Sequence, residues 1–245
     1  MIRTGLLVVV LAGSALVLPL AAQQATPAQQ KAPEPAATPA REPGLYMTLE
    51  TSMGSITCKL FEKEAPVTVR SIVGLALGKK PYIDPRTGQR VSGKRFYDGL
   101  TFHRVIPQFM IQGGDLKGDG TGNPGFTIPA EIRKELNFDL PGRLAMARLP
   151  NDLNSASSQF FITEVPYPYL NQQYTILGQC ENLDVVKAIA RVPKDSNDRP
   201  KTPVVIKRVV LERVGPAPTD APEAGGAAPA PRPAKAGKAP PKKEM

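Results

Sequence analysis

The first candidate for chemistry is a stretch that places one arginine among large apolar residues. It reads FHRVIPQFMIQGGD from Phe102 to Asp115, with Arg104 followed by Phe109, Met110 and Gln112. A guanidinium stays protonated at any working pH and offers five N–H donors. These residues would supply a charged donor and an apolar pocket, without a titrating acid or base.

A second stretch carries residues of similar kinds. Leu144 to Arg148 reads LAMAR and leads through the segment 154–158 into the sequence QFFIT, from Gln159 to Thr163. Neighbouring side chains of a strand point to opposite faces, so only some of these residues can share one site. A cluster of Phe and Met is usually core and a lone Arg is usually solvated, but the two stretches together favour a binding site.

Other chemistries have few residues to work with. His103 is the only histidine in the chain, which disfavours a catalytic triad or a multi-histidine metal site. The Gly-rich segment from Gly118 to Gly122 lacks the GK[ST] of a phosphate loop. Asp115 and Asp119 miss the spacing of a calcium loop and are predicted to form turns. We therefore expect no metal and no cofactor.

Both stretches resemble the signatures of the cyclophilins, FHR-x-x-P-x-FM-x-QGGD and SQFFI, and the resemblance extends in unbroken order from about Leu45 to Val214. Two long motifs in the right order are far more specific than a single Gly-rich string. The resemblance implies peptidyl-prolyl cis-trans isomerase (rotamase) activity. It also implies a mainly β fold: a closed eight-stranded antiparallel barrel capped by two helices, with the substrate groove on the outside of the barrel.

The resemblance further implies roles for individual residues, with Arg104 as the catalytic arginine. The substrate-binding residues that it implies are Phe109, Met110, Phe161 and Leu170 in the walls of the proline pocket, Gln112 and Gln159 as polar contacts, Ala147 and Arg148 along the groove, Tyr169, Tyr174 and, at the groove edge, His103. Tyr169 stands where the family often has tryptophan, and Tyr174 where it often has histidine. We expect the first change to weaken cyclosporin binding and the second to alter substrate preference.

Local patterns predict the elements that position these residues. Eight short strands are predicted at about 45–50, 56–61, 102–106, 109–112, 143–147, 159–164, 174–180 and 204–213. A first helix is predicted over about 66–77, where apolar residues recur at helical spacing and Gly78 follows. A second is predicted over about 183–190, capped by Asn182 and followed by Pro193.

Composition divides the chain into one domain with a flank on each side. The 245 residues include 27 prolines, which crowd toward the two ends, and carry a net charge of +9. We predict an isomerase domain at 44–215, long enough to bury a stable core. A linker rich in Ala, Pro and Gln (23–43) and a basic tail rich in Pro and Ala (216–245) have too little apolar bulk to repay the entropy of ordering. Both are predicted to be disordered.

Residues 1–22 have the order of a secretory signal peptide. Arg3 precedes an apolar run from Leu6 to Leu18, and small residues follow at Ala21 and Ala22. An uncleaved membrane anchor is the alternative, but such an anchor needs a longer apolar run of roughly 18 residues. We expect an exported protein, periplasmic or extracellular, whose basic tail is solvated or makes weak contact with anionic envelope surfaces.

Cys58 and Cys180 are the only cysteines of the chain. In an exported protein, an even pair can form one disulfide. Two small, buried hydrophobic residues in strands are the alternative. The sequence leaves both interpretations open.

The leading hypothesis for function is a monomeric isomerase that assists the folding of exported proteins. Uncatalysed X-Pro isomerisation takes tens to hundreds of seconds and can limit folding, so the partners would be proline-containing unfolded or flexible polypeptides. The main alternative is a module that binds proline-containing segments without catalysis. A third class is an envelope tether or nucleic-acid binder that uses the basic tail, but nucleic acid is not an expected partner because the tail lacks aromatic platforms for bases.

Overall fold

The structure, a computed structural model, describes residues 41–217. The predicted signal peptide (1–22), most of the predicted linker (23–43) and the predicted tail from residue 218 onward lie outside these residues. The described chain contains strands β1 (Gly44–Thr51), β2 (Gly54–Leu60), β3 (Tyr82–Ile83), β4 (Arg90–Val91), β5 (Arg104–Ile106), β6 (Met110–Gly113), β7 (Arg143–Met146), β8 (Phe160–Thr163), β9 (Ile176–Cys180) and β10 (Ile206–Val214), and helices α1 (Pro66–Ala76) and α2 (Leu183–Ala190).

Eight of these strands form one antiparallel sheet in the order β10-β1-β2-β9-β7-β8-β6-β5. Each predicted strand corresponds to one of the eight, with ends that differ by about two residues at most, so the mainly β fold and its strand positions are confirmed. β3 and β4 pair with each other in a separate two-stranded hairpin. This hairpin lies in the connection between α1 and β5 and was missing from the sequence-based prediction.

The sheet is a curled half-barrel that stays open between its edge strands, β5 and β10. An isolated bridge joins Thr101 to Val205 before the two edge strands begin, and backbone hydrogen bonds between residues 99–102 and 204–206 accompany it. Within β5 itself, Val105 donates its N–H to the carbonyl of loop residue Asp198, at 2.8 Å, instead of to β10. The predicted closed barrel is therefore not found in residues 41–217, because a loop occupies the place of the closing ladder.

Both predicted helices are present. α1 begins at Pro66, whose fixed φ suits a first helical position, and α2 has its predicted bounds. The predicted capping by Asn182 is wrong: its φ of 57° is left-handed, and its side chain makes no capping hydrogen bond, whereas a capping residue needs extended backbone. Neither helix of the described range has the length and apolarity to cross a bilayer.

Strand alternation creates an apolar cluster on each face of the sheet. In β6 and β8, Ile111 and Phe160 belong to the large inner core, whereas Met110 and Phe161 belong to a smaller outer cluster. The inner core also contains Cys58 of β2 and Cys180 of β9, which are register partners and form a disulfide. The structure thus decides between the two interpretations of the cysteines, and it leaves the outer cluster as the place for a site.

Candidate active site

A row of register partners on the outer face of the sheet brings the two sequence stretches together. Arg104 of β5 lies opposite Gln112 of β6, Gln112 lies opposite Phe161 of β8, and Phe161 lies opposite Ala145 of β7. Side chains of directly opposed residues are in contact distance on one face. The charged, polar and apolar groups of the two stretches therefore form one surface.

The two stretches also touch where β6 and β8 meet the loops. Gly114 has a φ of 84°, and a Cβ at this position would lie only 2.5 Å from the carbonyl oxygen of Ser158. The hydroxyl of Ser158 donates to the carbonyl of Gly114 at 2.9 Å. A glycine is required here, both for the left-handed backbone and for this close approach.

A cavity of about 220 Å³ opens on the outer face. It is lined by Arg104, Phe109, Met110, Gln112, Ala147, Arg148, Phe161, Leu170 and Tyr174. Every one of these residues is predicted for the site from the sequence. Six of these nine side chains are apolar or aromatic, and two arginines and a glutamine add polar groups, as expected for a pocket that binds an apolar ring next to polar backbone.

Aromatic rings pack against Phe161 in the wall of this cavity. The ring of Phe161 stacks on that of Phe138, with centroids 5.9 Å apart, and meets the edge of the Tyr174 ring at 5.4 Å. Phe138 is fully buried. It lies in the long connection between β6 and β7, where no periodic pattern identifies it, and the sequence analysis missed it.

Gln159 lies behind the cavity and orients Gln112. The side-chain amide of Gln112 donates to Gln159 Oε1 at 3.1 Å, while Gln159 itself donates to the carbonyls of Gly120 and Gly122. This chain of hydrogen bonds fixes which end of the Gln112 amide is a donor toward Gln159. The side-chain oxygen of Gln112, Oε1, then remains as an acceptor for a ligand.

Tyr169 lies outside the cavity, at the end of an aromatic ladder. Its side chain is 83% exposed, its ring is 5.8 Å from that of Tyr167, and Tyr167 is 4.5 Å from Phe109 in the cavity wall. The sequence analysis singled out Tyr169 and missed Tyr167. The ladder extends the apolar surface of the pocket onto the outside of the protein.

Arg148 closes another side of the cavity with its side chain. Its guanidinium lies 4.7 Å above the ring of Tyr174 and donates to the carbonyls of Gln173, Leu149 and Pro150. A position along the groove was predicted for Arg148 from the sequence. In the structure the side chain itself forms part of the wall.

Arg104 stands between the apolar cavity and a second, polar cavity of about 710 Å³. The second cavity is lined by His103, Arg104, Gln112, Asp119, Gly120, Asp195, Asn197 and Arg199. Asp198 Oδ2 lies 3.8 Å from Arg104 Nε, and Asp198 Oδ1 lies 2.6 Å from Lys194 Nζ. The carboxylate of Asp198 therefore lies within ion-pair distance of both Arg104 and Lys194.

His103 is buried beside Arg104 at the polar cavity. Burial is the main cause that lowers the pKa of His103 below its ordinary value, although the nearby carboxylates of Asp115 and Asp119 oppose this effect. Burial therefore favours the neutral form of the imidazole. Within residues 41–217, no group of three or more His, Cys, Asp and Glu side chains is placed to hold a metal ion.

Glu164 holds the turn that presents the wall of the apolar cavity. Its side chain is 2% exposed and lies 2.5 Å from Arg191 Nη1. It accepts the backbone N–H of Gln108 at 2.8 Å, and Gln108 has a φ of 61°, a left-handed conformation that costs a non-glycine residue about 1–2 kcal/mol. The N–H of Glu164 donates to the carbonyl of Phe109 at 2.8 Å. The sequence analysis missed this residue.

Replacing Glu164 by alanine is expected to raise KM for an X-Pro peptide by about three- to tenfold, with little change in kcat. The hydrogen bond to the carboxylate stabilises the turn by about 1.5–3 kcal/mol, and relaxation of the turn transmits part of this loss to peptide binding. Steady-state isomerisation kinetics would measure this. Adding Gln108→Gly should bring KM part of the way back down to the wild-type value, because glycine adopts the left-handed turn without strain. Arg191→Gln, which keeps the bond to Gln108, is the matched control. A fall in kcat as large as the rise in KM, without rescue by Gln108→Gly, would show that Glu164 has only a structural role.

The fold and the site together define the class of protein. On the outer face of a curled antiparallel sheet, a cavity lined by apolar side chains lies beside the guanidinium of Arg104, an arrangement that could accept an apolar ring next to a polar amide. Residues 46–211 match the family described as "Cyclophilin type peptidyl-prolyl cis-trans isomerase/CLD". The chain belongs to the cyclophilin family and is a peptidyl-prolyl cis-trans isomerase.

Individual relatives agree with this assignment. The chain is 47% identical over 167 residues to the peptidyl-prolyl cis-trans isomerase A of Mycobacterium tuberculosis, a match that covers 67% of this chain and 90% of that protein. It is 45% identical over 172 residues to the isomerase B of Streptomyces anulatus, covering 69% and 97%. A cyclophilin-type isomerase of Cryptosporidium parvum, crystallised in the presence of the dipeptide Ala-Pro, matches with a TM-score of 0.59 and 28% identity, covering 69% of this chain and 99% of that one.

Proposed function

We propose that this isomerase accelerates X-Pro isomerisation in the folding of exported proteins, with Arg104 as its catalytic residue. The observation that carries the proposal is the position of Arg104 at the side of the apolar cavity, opposite Gln112, which in turn lies opposite Phe161 in the register of the sheet. The related isomerase crystallised with Ala-Pro supports proline-containing peptides as the substrate class.

The reaction is a rotation about one bond, the C–N bond of the X-Pro amide. Amide resonance opposes this rotation with a barrier of about 18–20 kcal/mol, and no proton needs to be transferred. The apolar cavity binds the proline ring, while the guanidinium of Arg104 donates to the prolyl nitrogen or to the substrate carbonyl and so favours the twisted amide over the planar one. Tighter binding of the twisted state than of either planar isomer is what accelerates the reaction.

Two features support export. The first is the signal-like order of residues 1–22. The second is the disulfide between Cys58 and Cys180, since disulfides persist mainly in oxidising compartments outside the cytosol. Clients would be unfolded or flexible polypeptides whose folding waits for X-Pro isomerisation, and the enzyme would act on them as a monomer.

NMR exchange on an X-Pro test peptide tests the activity, and fractionation of a bacterium that expresses the full chain tests the export. We expect accelerated cis-trans exchange, and a protein outside the cytoplasm whose mass shows cleavage near Ala22. A protein that binds the peptide without accelerating exchange would be a binding module instead. An active protein that keeps residues 1–22 inside the cell would contradict the export alone.

A further inference from the structure

We propose that the tail of this chain, residues 216–245, is an intramolecular ligand of the proline pocket and competes there with external substrates. The inference depends on the proposed function, because it takes X-Pro as the substrate class of the pocket. It adds a specific occupant that belongs to the chain itself. Three observations support it: the composition of the tail, the exposure of the pocket, and the distance from the end of β10 to Arg104.

The tail contains many X-Pro bonds, the type of bond that the pocket is proposed to bind. It contains eight prolines, and five of them follow alanine: Ala217-Pro218, Ala221-Pro222, Ala228-Pro229, Ala230-Pro231 and Ala239-Pro240. Alanine has the smallest L side chain, so an Ala-Pro segment makes the least steric demand on the groove beside Ala147. The structure describes the chain only as far as Ala217.

The pocket is accessible from the surface of the domain. Phe109, Leu170 and Tyr174 are only partly buried in its walls, and Tyr169 is 83% exposed at the end of the adjoining ladder. Tyrosine rings that line a surface are the usual partners of proline-rich segments, which bind as preformed polyproline helices at low entropic cost. A proline-rich segment is thus the partner that this surface fits.

The register of the sheet shows which prolines of the tail can reach the pocket in the same molecule. The bridge between Thr101 and Val205 places the start of β10 next to the segment that leads into β5 and Arg104. β10 then runs from Ile206 to Val214, away from this bridge, over roughly 30 Å at about 3.3 Å per residue. The tail therefore starts about 30–40 Å from Arg104.

At about 3.1 Å per residue in a polyproline helix, the chain beyond Ala217 extends roughly 15 Å to Pro222, about 43 Å to Pro231 and about 71 Å to Pro240. Pro218 and Pro222 therefore cannot reach the pocket of their own molecule, whereas Pro231 and Pro240 can. A tether that spans its site gives an effective concentration in the millimolar range, which is enough to compete with a weakly bound peptide.

NMR exchange on the isotope-labelled full chain tests the proposal directly. We expect exchange between the cis and trans forms within about a second at Ala230-Pro231 and Ala239-Pro240, instead of the tens of seconds of the uncatalysed bond. The rate at these two bonds should not change on dilution. Ala221-Pro222 should exchange at the uncatalysed rate in dilute protein. Arg104→Ala should abolish the acceleration at the distal bonds.

A matched pair of full-length variants tests the competition. In the distal variant, Pro229, Pro231, Pro233, Pro240 and Pro241 become alanine, so that no X-Pro bond remains in the distal part of the tail; in the proximal variant, Pro218 and Pro222 do. We expect the distal variant to lower KM for an external X-Pro peptide by about twofold or more at unchanged kcat, since an intramolecular competitor at millimolar concentration is removed. The proximal variant should match the wild type.

The outcomes separate this inference from the proposed function. If the external peptide is isomerised but the distal bonds exchange at the uncatalysed rate, the tail is no ligand and the isomerase proposal stands. If exchange at distal and proximal bonds rises equally with protein concentration, the tail binds a second copy and the intramolecular proposal is overturned. If neither the external peptide nor the tail is isomerised, the proposed function itself fails.

Discussion

Replacing Arg104 by alanine is expected to lower kcat/KM for an X-Pro test peptide by about ten- to a hundredfold. A charged hydrogen bond contributes about 1.5–3 kcal/mol, and each 1.36 kcal/mol off the barrier is tenfold in rate. The apolar cavity remains in the variant, so binding of the proline ring should be largely kept and the loss should fall mainly on kcat. Exchange spectroscopy at saturating and subsaturating peptide measures both constants.

Two variants control this experiment. Arg104→Lys keeps the charge but loses the planar fork of donors, so it should recover only part of the rate. Asp198→Asn keeps the backbone contact to Val105 and removes the carboxylate near Arg104, so it should have a smaller effect than the loss of Arg104. Because the Arg104 side chain is 44% exposed, its removal should leave the melting temperature almost unchanged. Full activity of Arg104→Ala would disprove its catalytic role.

Replacing both Cys58 and Cys180 by alanine is expected to lower the free energy of unfolding by about 2–5 kcal/mol. The disulfide joins residues that are 122 positions apart, and a cross-link across a long loop removes much of the conformational entropy of the unfolded chain. It also connects β2 to β9 in the middle of the sheet. Urea unfolding of wild type and variant, each with and without reductant, measures the difference.

The comparison contains its own control, since reductant should destabilise the wild type and leave the double variant unchanged. Isomerase activity of the folded variant should be close to that of the wild type, because the disulfide belongs to the inner core and the candidate site to the outer cluster. Identical unfolding curves for wild type with and without reductant would show that the disulfide does not contribute to stability.

Much of the fold could be predicted from local patterns. Side-chain alternation and helical spacing are properties of neighbouring residues, so eight strands and both helices were predicted nearly in place. The cap at Asn182 was predicted wrongly because its left-handed backbone depends on how α2 follows β9. The open edge between β5 and β10 could not be predicted, because the hydrogen bond from the Val105 N–H to the Asp198 carbonyl joins segments far apart in the chain.

The residues of the candidate site also fall into two groups, those that local motifs predict and those that they do not. The two stretches contain seven of the nine residues that line the apolar cavity, and the family resemblance that the stretches carry added Leu170 and Tyr174. Phe138, Glu164 and Asp198 were missed, because they support the site from segments that share no motif with it. The roles of all these residues in binding and catalysis remain predictions for the experiments above.

The amino-acid sequence by itself determined the family, the chemical types of the site residues and the strands that carry them, because these follow from local order along the chain. Only the tertiary structure decided that Cys58 and Cys180 are bonded, that Asp198 lies 3.8 Å from Arg104, and that β10 runs away from the Thr101–Val205 bridge toward the start of the tail. The physical reason is that strand register and loop packing join residues distant in sequence, and no local pattern encodes those distances.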